Sequence, residues 1–328
     1  MITFCQFGAG RIGAIHAANI AGHPNARLRL VVDTDHAAAE GLAIRHGAVL
    51  GSDEEALADP EIDAVVIASS TDTHADLIEA AARAGKAIFC EKPLDLDRGR
   101  AEACVAIAEE CGVLLMVGFN RRFDPHFARL ERQIRDGRIG RPEIVRITSY
   151  DPAPPPLDYV RRSGGLFRDM MIHDFDMARW LLDEEPAELF AAASVLVDPA
   201  IGEAGDVDTA VVMLRFESGA LCQISNSRRA VYGYDQRIEV LGSKGALQAG
   251  NVAESTVTFA GTDGIVGDKP LPFFLERYGE AYRRELGHFI DAVAAGTAPL
   301  VGGEDGIKAL ALADAALESY RTGHLIRI

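Results

Sequence analysis

One histidine and two carboxylates occur at helical spacing in the stretch from Gly165 to Trp180. Asp169 and His173 are four residues apart and Asp176 is three further on, so in an α-helix they lie on one side. A carboxylate one turn away orients an imidazole ring and favours its charged form, which suits a general base. We therefore interpret His173 as a candidate proton acceptor, with Asp169 as its partner.

Two other interpretations of this stretch remain open. The carboxylates could cap the helix or form ion pairs with Arg168 and Arg179. Alternatively, His173, Asp169 and Asp176 could hold a divalent metal ion, although no pair of these residues has a dedicated metal signature.

A glycine motif lies at the start of the chain, between an apolar run and a segment compatible with a helix. Gly8 allows a tight turn, Gly10 lets the backbone approach a pyrophosphate, and Gly13 lets helix and strand pack closely. The helix N-terminus then offers free N–H groups to phosphates. The pattern is typical of a dinucleotide-binding turn.

An acid, Asp33, ends the second apolar run, about twenty residues after the glycine motif. At that position a carboxylate accepts hydrogen bonds from a ribose 2′-OH and repels a 2′-phosphate. Arg11 is the only nearby cation that could favour a phosphate. We therefore predict NAD rather than NADP as cofactor. The alternative is that Asp33 only caps the following helix.

A lysine follows the predicted strand Ala87 to Cys90, in the tripeptide Glu91-Lys92-Pro93. In a parallel sheet of this kind, ligands bind next to the carboxyl ends of the strands, so a residue that follows a strand lies close to the ligand. Lys92 could there donate to a substrate hydroxyl or hold the nicotinamide amide, and Pro93 restricts the loop. A solvated surface lysine is the alternative.

The composition limits the class of protein. The chain has 328 residues, a net charge of −16 and five scattered cysteines, expected to be reduced thiols. The negative charge argues against nucleic acid or an acidic membrane as partner. No apolar run is long enough for a transmembrane helix, and the N-terminus lacks features of a secretory signal. We expect a cytoplasmic protein.

The order of predicted elements indicates an α/β protein. Strands and helices alternate through residues 1–118, which predicts a parallel sheet with right-handed crossovers. The loops Ser69 to His74, Glu91 to Leu94 and Phe119 to Phe123 are expected to surround the cofactor.

Later in the chain, alternating runs separated by turn signals predict a large, mainly antiparallel sheet, followed by closing helices. We divide the chain into an N-terminal Rossmann NAD-binding domain, residues 1–118, and a C-terminal α+β domain for substrate binding and oligomerisation, residues 119–328. One helix is predicted from Gly165 to Leu182 and a strand from Ser255 to Phe259.

Two further groups of residues could contact a polar substrate. Arginines in the segment Asn120 to Asp124 can donate to hydroxyls. Tyr234, next to Gly233, could do so too, although tyrosines at a sheet edge more often pack than bind.

The chain resembles the Gfo/Idh/MocA oxidoreductases. The resemblance rests on Gly8–Gly13, Ala68–His74, Glu91–Pro93, Gly118–Asp124 and Gly165–Asp176. The stretches most similar to the inositol 2-dehydrogenase branch are Asn120–Asp124, Asp151–Pro155, Asp169–Asp174 and Tyr232–Arg237.

The resemblance implies that Lys92, Asp169 and His173 are catalytic. The implied cofactor contacts are Gly8, Gly10, Arg11, Ile12, Gly13, Asp33, Ser69, Ser70, Thr71, His74, Glu91 and Lys92. The implied substrate contacts are Arg122, Asp151, Asp169, His173, Asp176 and Tyr234. Some inositol dehydrogenases have His-x-Asn where this chain has Ser149-Tyr150-Asp151, which bears on hydroxyl recognition.

The implied activity is NAD-dependent oxidation of a secondary ring hydroxyl of a cyclic polyol, with myo-inositol as the expected substrate. One alternative keeps the reaction but changes the substrate to another inositol isomer, an aldose or a sugar acid, with NAD or NADP as cofactor. The other is an NAD(H)-sensing protein without catalytic activity. No metal is expected, because the oxidised cofactor is the electrophile. The resemblance further implies a homo-oligomer, a dimer or tetramer, formed through the C-terminal sheet.

Overall fold

The computed structural model describes the whole chain, from Met1 to Ile328. The elements up to residue 123 are β1 (Ile2–Phe7), α1 (Arg11–Gly22), β2 (Ala26–Val32), α2 (His36–His46), β3 (Val49–Leu50), α3 (Asp53–Ala58), β4 (Ala64–Ile67), α4 (His74–Arg83), β5 (Ala87–Glu91), α5 (Arg98–Glu110) and β6 (Leu115–Gly118).

Those from residue 124 to 203 are α6 (Pro125–Arg135), β7 (Pro142–Tyr150), α7 (Leu157–Val160), a π-helical turn (Phe167–Met171), α8 (Ile172–Leu182), β8 (Pro186–Ser194) and α9 (Pro199–Glu203). The remaining elements are β9 (Thr209–Phe216), β10 (Leu221–Ser227), β11 (Asp235–Gly242), β12 (Gly245–Ala249), β13 (Thr258–Gly261), β14 (Gly264–Gly267), α10 (Phe274–Arg277), α11 (Gly279–Ala295), α12 (Gly303–Thr322) and β15 (Ile326–Arg327).

The first sheet is a parallel sheet in the order β3-β2-β1-β4-β5-β6. Its inner strands are continuous apolar runs, as expected when helices cover both faces of a sheet. All four residues of β4 are fully buried, and each valine or isoleucine among them contributes about 1.5–3 kcal/mol by burial. This strand order is that of a dinucleotide-binding fold. The predicted Rossmann architecture is confirmed.

The unit built on this sheet contains two segments of the chain, Met1–Phe123 and Ala281–Leu310. In the second segment, Phe289 of α11 packs against Phe4 and Phe89 with ring centroids 6.1 and 5.7 Å apart. These aromatic contacts join α11 to the apolar core of the parallel sheet. The sequence-based division had placed this helix with the C-terminal domain.

The other unit contains Asp124–Glu280 and Ala311–Ile328. Its sheet has the order β12-β11-β7-β10-β9-β8-β15. All neighbouring strands are antiparallel except β7 and β10, which run parallel. Buried and exposed residues alternate along β9, so one face of the sheet is covered. The predicted α+β class with a mainly antiparallel sheet is confirmed.

Two elements differ from their prediction. The helix predicted from Gly165 to Leu182 begins with the π turn and continues as α8. The strand predicted from Ser255 to Phe259 is displaced to β13, which pairs with β14 outside the main sheet. Both differences arise because apolar periodicity does not distinguish π from α turns or assign pairing partners.

None of the helices combines the length and the apolar character needed to span a membrane.

Candidate active site

The glycine turn between β1 and α1 is packed backbone to backbone. Gly8 has a φ of 101°, and a Cβ there would lie 2.3 Å from the carbonyl oxygen of Ala68. A Cβ at Gly13 would lie 2.2 Å from the carbonyl oxygen of Gly8. In contrast, no atom lies within 4 Å of a Cβ built at Gly10. The turn therefore leaves open space only at the glycine expected to face a pyrophosphate, which fits a dinucleotide.

Gln6 supports this turn and was missed by the sequence analysis. Its buried side-chain amide donates to the carbonyl oxygens of Gly8 and Gly13, each at 2.8 Å. The signal that could have revealed it is a polar residue inside the apolar run of β1. A buried polar group at such a position needs local partners.

Asp33 follows β2 and contacts the glycine turn. Its carboxylate accepts hydrogen bonds from the backbone N–H of Ala9 at 2.6 Å and of Asp35 at 2.8 Å. Helix α2 is capped by Asp35, which accepts from Ala38 N–H at 3.1 Å. The interpretation of Asp33 as the helix cap is therefore wrong. The negative charge of Asp33 beside the turn favours a ribose with a free 2′-OH.

The loop after β4 carries three of the predicted cofactor contacts, Ser69, Ser70 and Thr71. The Ser69 hydroxyl lies 2.7 Å from that of Thr73, which donates to the Ser70 carbonyl at 2.8 Å. These bonds shape the loop, while the Ser70 side chain stays exposed. The cofactor contacts of the three residues stay predictions.

His74 was also predicted to contact the cofactor, but its side chain is buried. Its Nδ1 lies 2.8 Å from the carbonyl oxygen of Pro93, and its Nε2 lies 3.2 Å from that of Ser69. The ring thus connects the loop after β4 with the loop after β5. The structure gives His74 a place between two loops rather than on an accessible surface.

Strand β5 ends at Glu91, and Lys92 begins the turn that follows. The Glu91 carboxylate lies 2.7 Å from Nε2 of His16, a buried residue of α1. Lys92 is partly buried, and its peptide bond to Pro93 is cis. Lys92 is thus part of an ordered turn at the carboxyl end of a Rossmann strand, as predicted.

Arg122, predicted to bind substrate, is held within its own unit. Its buried guanidinium donates to the Asp305 carboxylate at 2.8 Å and to the Leu300 carbonyl at 3.2 Å. Arg122 therefore contacts the first turn of α12 and the segment before it, and its substrate role stays a prediction.

Asp169, in the π turn of the second unit, has a donor on each carboxylate oxygen. The Tyr159 hydroxyl donates to Oδ1 at 2.8 Å, and the Arg228 guanidinium donates to Oδ2 at 2.9 Å. π turns often occur at functional sites, so this irregular turn favours a functional role for the segment. Neither donor is adjacent in sequence, so the sequence analysis did not identify them.

Arg228 also binds Asp151, at 2.9 Å. The parallel register pairs Ser227 with Tyr150 at the ends of β10 and β7, so the next residues, Arg228 and Asp151, are side by side. Burial alone would lower the pKa of Arg228, but Asp169 and Asp151 outweigh burial and raise the pKa above its ordinary value. A permanently charged arginine thus lies between two candidate site carboxylates and offsets part of their negative charge.

The other acids and the histidine of this segment differ in their burial and in their partners. His173 is the second residue of α8 and is partly buried. Asp174, which the sequence analysis did not select, is buried and accepts from Ser149 Oγ at 2.6 Å and from Asn226 Nδ2 at 2.8 Å. Asp176 is buried and lies 3.9 Å from Arg179.

Of the ion pairs suggested for this segment, the structure has a long one between Asp176 and Arg179. Arg168 and Arg179 form closer pairs, with Asp314 at 2.6 Å and Glu185 at 2.6 Å. The metal interpretation finds no support, since no group of three His, Cys, Asp or Glu side chains is arranged to hold a metal ion.

Tyr234 packs among aromatic rings. Its ring is edge-on to Phe273 and Tyr278, with centroids 5.9 and 6.0 Å apart, and it is almost fully buried. The packing alternative is thus realised, and a contact between Tyr234 and substrate stays a prediction.

Comparison with known proteins places the chain in a family. A model described as an oxidoreductase family with an NAD-binding Rossmann fold matches residues 2–119, and the GFO/IDH/MocA C-terminal domain matches residues 127–248. These matches cover more than half of the chain. The chain belongs to the Gfo/Idh/MocA family of NAD-binding oxidoreductases, so the predicted family and cofactor are confirmed.

Three relatives illustrate the similarity. An inositol 2-dehydrogenase of Rhizobium meliloti is 54% identical, with 100% of this chain and 99% of the relative covered. The crystal structure of a myo-inositol dehydrogenase from Corynebacterium glutamicum has a TM-score of 0.96 at 42% identity, covering 100% of this chain and 99% of that chain. A scyllo-inositol dehydrogenase from Lactobacillus casei, solved with NAD(H) and scyllo-inositol, has a TM-score of 0.93 at 29% identity, with 100% and 99% covered.

The glycine turn allows a matched pair of substitutions. Gly10→Ala places a methyl group in open space, so we expect weaker NAD binding, by about tenfold or more, with a nearly unchanged free energy of unfolding. Gly8→Ala forces a Cβ against backbone and is expected to destabilise the fold by about 2 kcal/mol or more. Urea unfolding and titration of cofactor fluorescence measure the two effects. Normal NAD affinity in a folded Gly10→Ala protein would contradict this interpretation of the turn.

The two-carboxylate bridge of Arg228 predicts a large effect on stability. Arg228→Met leaves Asp169 and Asp151 without their shared cation, so the free energy of unfolding should fall by about 3–5 kcal/mol. Arg215→Met is the matched control, because Arg215 makes an exposed pair with Glu188 in the same sheet and should change stability far less. Equal urea midpoints for the two variants would show that the bridge is unimportant.

Proposed function

We propose that this protein catalyses the NAD-dependent oxidation of a secondary ring hydroxyl of a cyclic polyol, with myo-inositol as the preferred substrate and 2-keto-myo-inositol as the product. The observation that carries the proposal is similarity over the full chain to proteins named as inositol dehydrogenases. Two features of the structure support it: the glycine turn, which has room for a pyrophosphate at Gly10, and the hydrogen-bonded carboxylate of Asp169, near His173 in sequence.

The cofactor is proposed to lie along the carboxyl ends of β1, β2 and β4. The open side of Gly10 and the first N–H groups of α1 would bind the pyrophosphate. Asp33 would accept from a ribose hydroxyl, since its carboxylate already faces the glycine turn. NAD, when bound, supplies the acceptor for the hydrogen and electron pair that leave the substrate carbon.

The proton of the reacting hydroxyl is proposed to pass to His173. Asp169 would favour the charged form of the imidazole, and Arg228 and Tyr159 keep the Asp169 carboxylate in one orientation. Lys92 would donate a hydrogen bond to the reacting oxygen and stabilise its developing negative charge. The chain thus supplies both the proton acceptor, which is the imidazole, and the donor to the reacting oxygen.

The hydroxyls away from the reacting carbon are proposed to be recognised chiefly by Asp151. Ser149 is buried and donates to Asp174, and the Tyr150 hydroxyl lies 2.8 Å from that of Ser225. In the tripeptide Ser149-Tyr150-Asp151, which replaces the His-x-Asn pattern, Asp151 is the residue linked to a candidate catalytic group. The link is Arg228, which donates to both Asp151 and Asp169. This difference makes another inositol isomer the second candidate substrate.

Initial rates with myo-inositol, scyllo-inositol and D-glucose, each with NAD and with NADP, test the proposal through the absorbance of the reduced cofactor. We expect the highest kcat/KM with myo-inositol and NAD, and a loss of about tenfold or more with NADP, because Asp33 repels a 2′-phosphate. A preference for D-glucose would overturn the substrate assignment. No reduced cofactor with any polyol would overturn the proposed reaction.

His173→Ala is the control that assigns the activity to the proposed base. Loss of a general base lowers turnover by about 10²–10⁴-fold, while the NAD dissociation constant should stay close to that of the wild type. Equal loss of both, or little loss of either, would remove His173 from the role of base.

The open face of the large sheet is proposed to pair with a second copy of the chain, giving a dimer or tetramer. Phe190, Val211 and Met213 lie on neighbouring strands of this face, with register pairs joining Phe190 to Met213, and each is about two-fifths exposed (41%, 38% and 41%). Met213→Lys should shift the protein to a smaller species in sedimentation velocity. Ile44→Lys, the same change at an exposed site of α2, should not. An unchanged assembly for Met213→Lys would place the interface elsewhere.

A further inference from the structure

The turn that carries Lys92 is held on both sides by histidine side chains. On the N-terminal side, the Glu91 carboxylate lies 2.7 Å from Nε2 of His16. On the C-terminal side, the Pro93 carbonyl lies 2.8 Å from Nδ1 of His74. His16 belongs to α1 and His74 to α4, so two separate helices contact the residues that flank Lys92.

The contact between His16 and Glu91 is enclosed by aromatic rings and by a glycine on the neighbouring strand. The His16 side chain has no accessible surface, and its ring is edge-on to Phe89 and Tyr282, at centroid distances of 4.9 and 5.9 Å. Gly118 pairs with Glu91 across β5 and β6, and a Cβ there would lie 2.9 Å from the Glu91 carboxylate. A glycine opposite Glu91 therefore leaves the room in which this carboxylate meets the imidazole.

A second acid, Glu285 of α11, is buried near this contact. Burial raises the pKa of Glu285 well above its ordinary value, and the nearby Glu91 adds to the effect. Both causes favour the neutral form of Glu285, which lessens repulsion between this acid and Glu91. The imidazole of His16 remains the group that holds the Glu91 carboxylate.

The contact of His74 with Pro93 is equally enclosed. Burial lowers the pKa of His74, so the ring is neutral at pH 7 and has one N–H. Both ring nitrogens face carbonyl oxygens, of Pro93 at 2.8 Å and of Ser69 at 3.2 Å. We assign the N–H to Nδ1, the nitrogen with the shorter contact. His74 thus donates to the Pro93 carbonyl.

We propose that His16 and His74 are positioning residues that hold Lys92 in place by fixing Glu91 before it and Pro93 after it. This inference rests on the role proposed for Lys92 above. A charged side chain that stabilises a developing negative oxygen must be held closely, because a displacement of about 1 Å can reduce the rate about 100-fold. Two anchors, one on each neighbouring residue, supply that restraint.

The different ring nitrogens allow a reciprocal test. A glutamine amide nitrogen replaces Nε2 of histidine and an asparagine amide nitrogen replaces Nδ1. We therefore expect His16→Gln and His74→Asn to keep kcat within about threefold of the wild type. His16→Asn and His74→Gln should lower kcat about 10–100-fold, with the KM for NAD nearly unchanged. All four side chains are polar amides, so a difference within each pair reports the position of the donor.

Hydrogen exchange of the cofactor-free protein gives a readout that does not depend on activity. The peptide spanning residues 88–96 should exchange faster in His16→Asn and His74→Gln than in the wild type, and at the wild-type rate in His16→Gln and His74→Asn. His288→Leu is the control, because this half-buried histidine of the same unit accepts from Leu300 N–H at 2.9 Å and does not contact the turn in question.

A double variant separates this inference from the proposed function. In a Lys92→Met background, His16→Asn should have little further effect on kcat, since the group that His16 holds is absent. If Lys92→Met alone leaves kcat unchanged, the proposed role of Lys92 is wrong, whatever the exchange data show. Identical exchange and kcat in the two members of each amide pair would overturn the inference about the histidines.

Discussion

Backbone contact at the glycine turn is the constraint on which the first unit depends. Gly8 and Gly13 approach neighbouring carbonyl groups so closely that a Cβ at either would lie 2.3 or 2.2 Å from an oxygen atom. This contact packs the start of α1 closely against the residues that follow β1 and β4. His16 lies on the same helix, and its ring contacts Glu91 at the end of β5. The candidate pyrophosphate site and the anchor of the Lys92 turn thus belong to one packed β-α unit.

The second unit depends on a different kind of interaction, the buried ion pairs of one arginine with two carboxylates. Arg228 lies between Asp151 and Asp169, and all three side chains are at most 14% exposed. A buried carboxylate is stable only when its charge is compensated and its oxygens accept hydrogen bonds. The arginine meets both needs, because its planar fork can donate to two partners at once. The cation therefore compensates negative charge at a position where the two carboxylates have little contact with water.

Local patterns predicted most of the fold and part of the site. The spacing of Gly8, Gly10, Gly13 and Asp33 reflects contacts within one β-α-β unit, so the chain order alone carried the information. Arg228 could not be found in this way, because its partners are 59 and 77 residues away and meet it only through the parallel register of β7 and β10.

Sequence position alone does not reveal which polar side chains are buried, and the predicted cofactor contact of His74 stays a prediction. His74 lies in a loop next to the expected cofactor site, but the structure turns its ring inward to two backbone carbonyls. Asp174 is adjacent to His173 in sequence, yet its carboxylate accepts hydrogen bonds from Ser149 on β7 and Asn226 on β10. A polar residue near a site can therefore serve either the ligand or the scaffold, and only its hydrogen-bond partners distinguish the two.

Transfer of hydrogen from substrate carbon to cofactor is the central claim, and isotopic labelling tests it most directly. myo-Inositol carrying deuterium at the carbon to be oxidised should yield reduced cofactor with one deuterium on the nicotinamide ring, detected by mass spectrometry, and a slower reaction than the unlabelled compound. Reduced cofactor without deuterium, or deuterium released to water, would contradict the account.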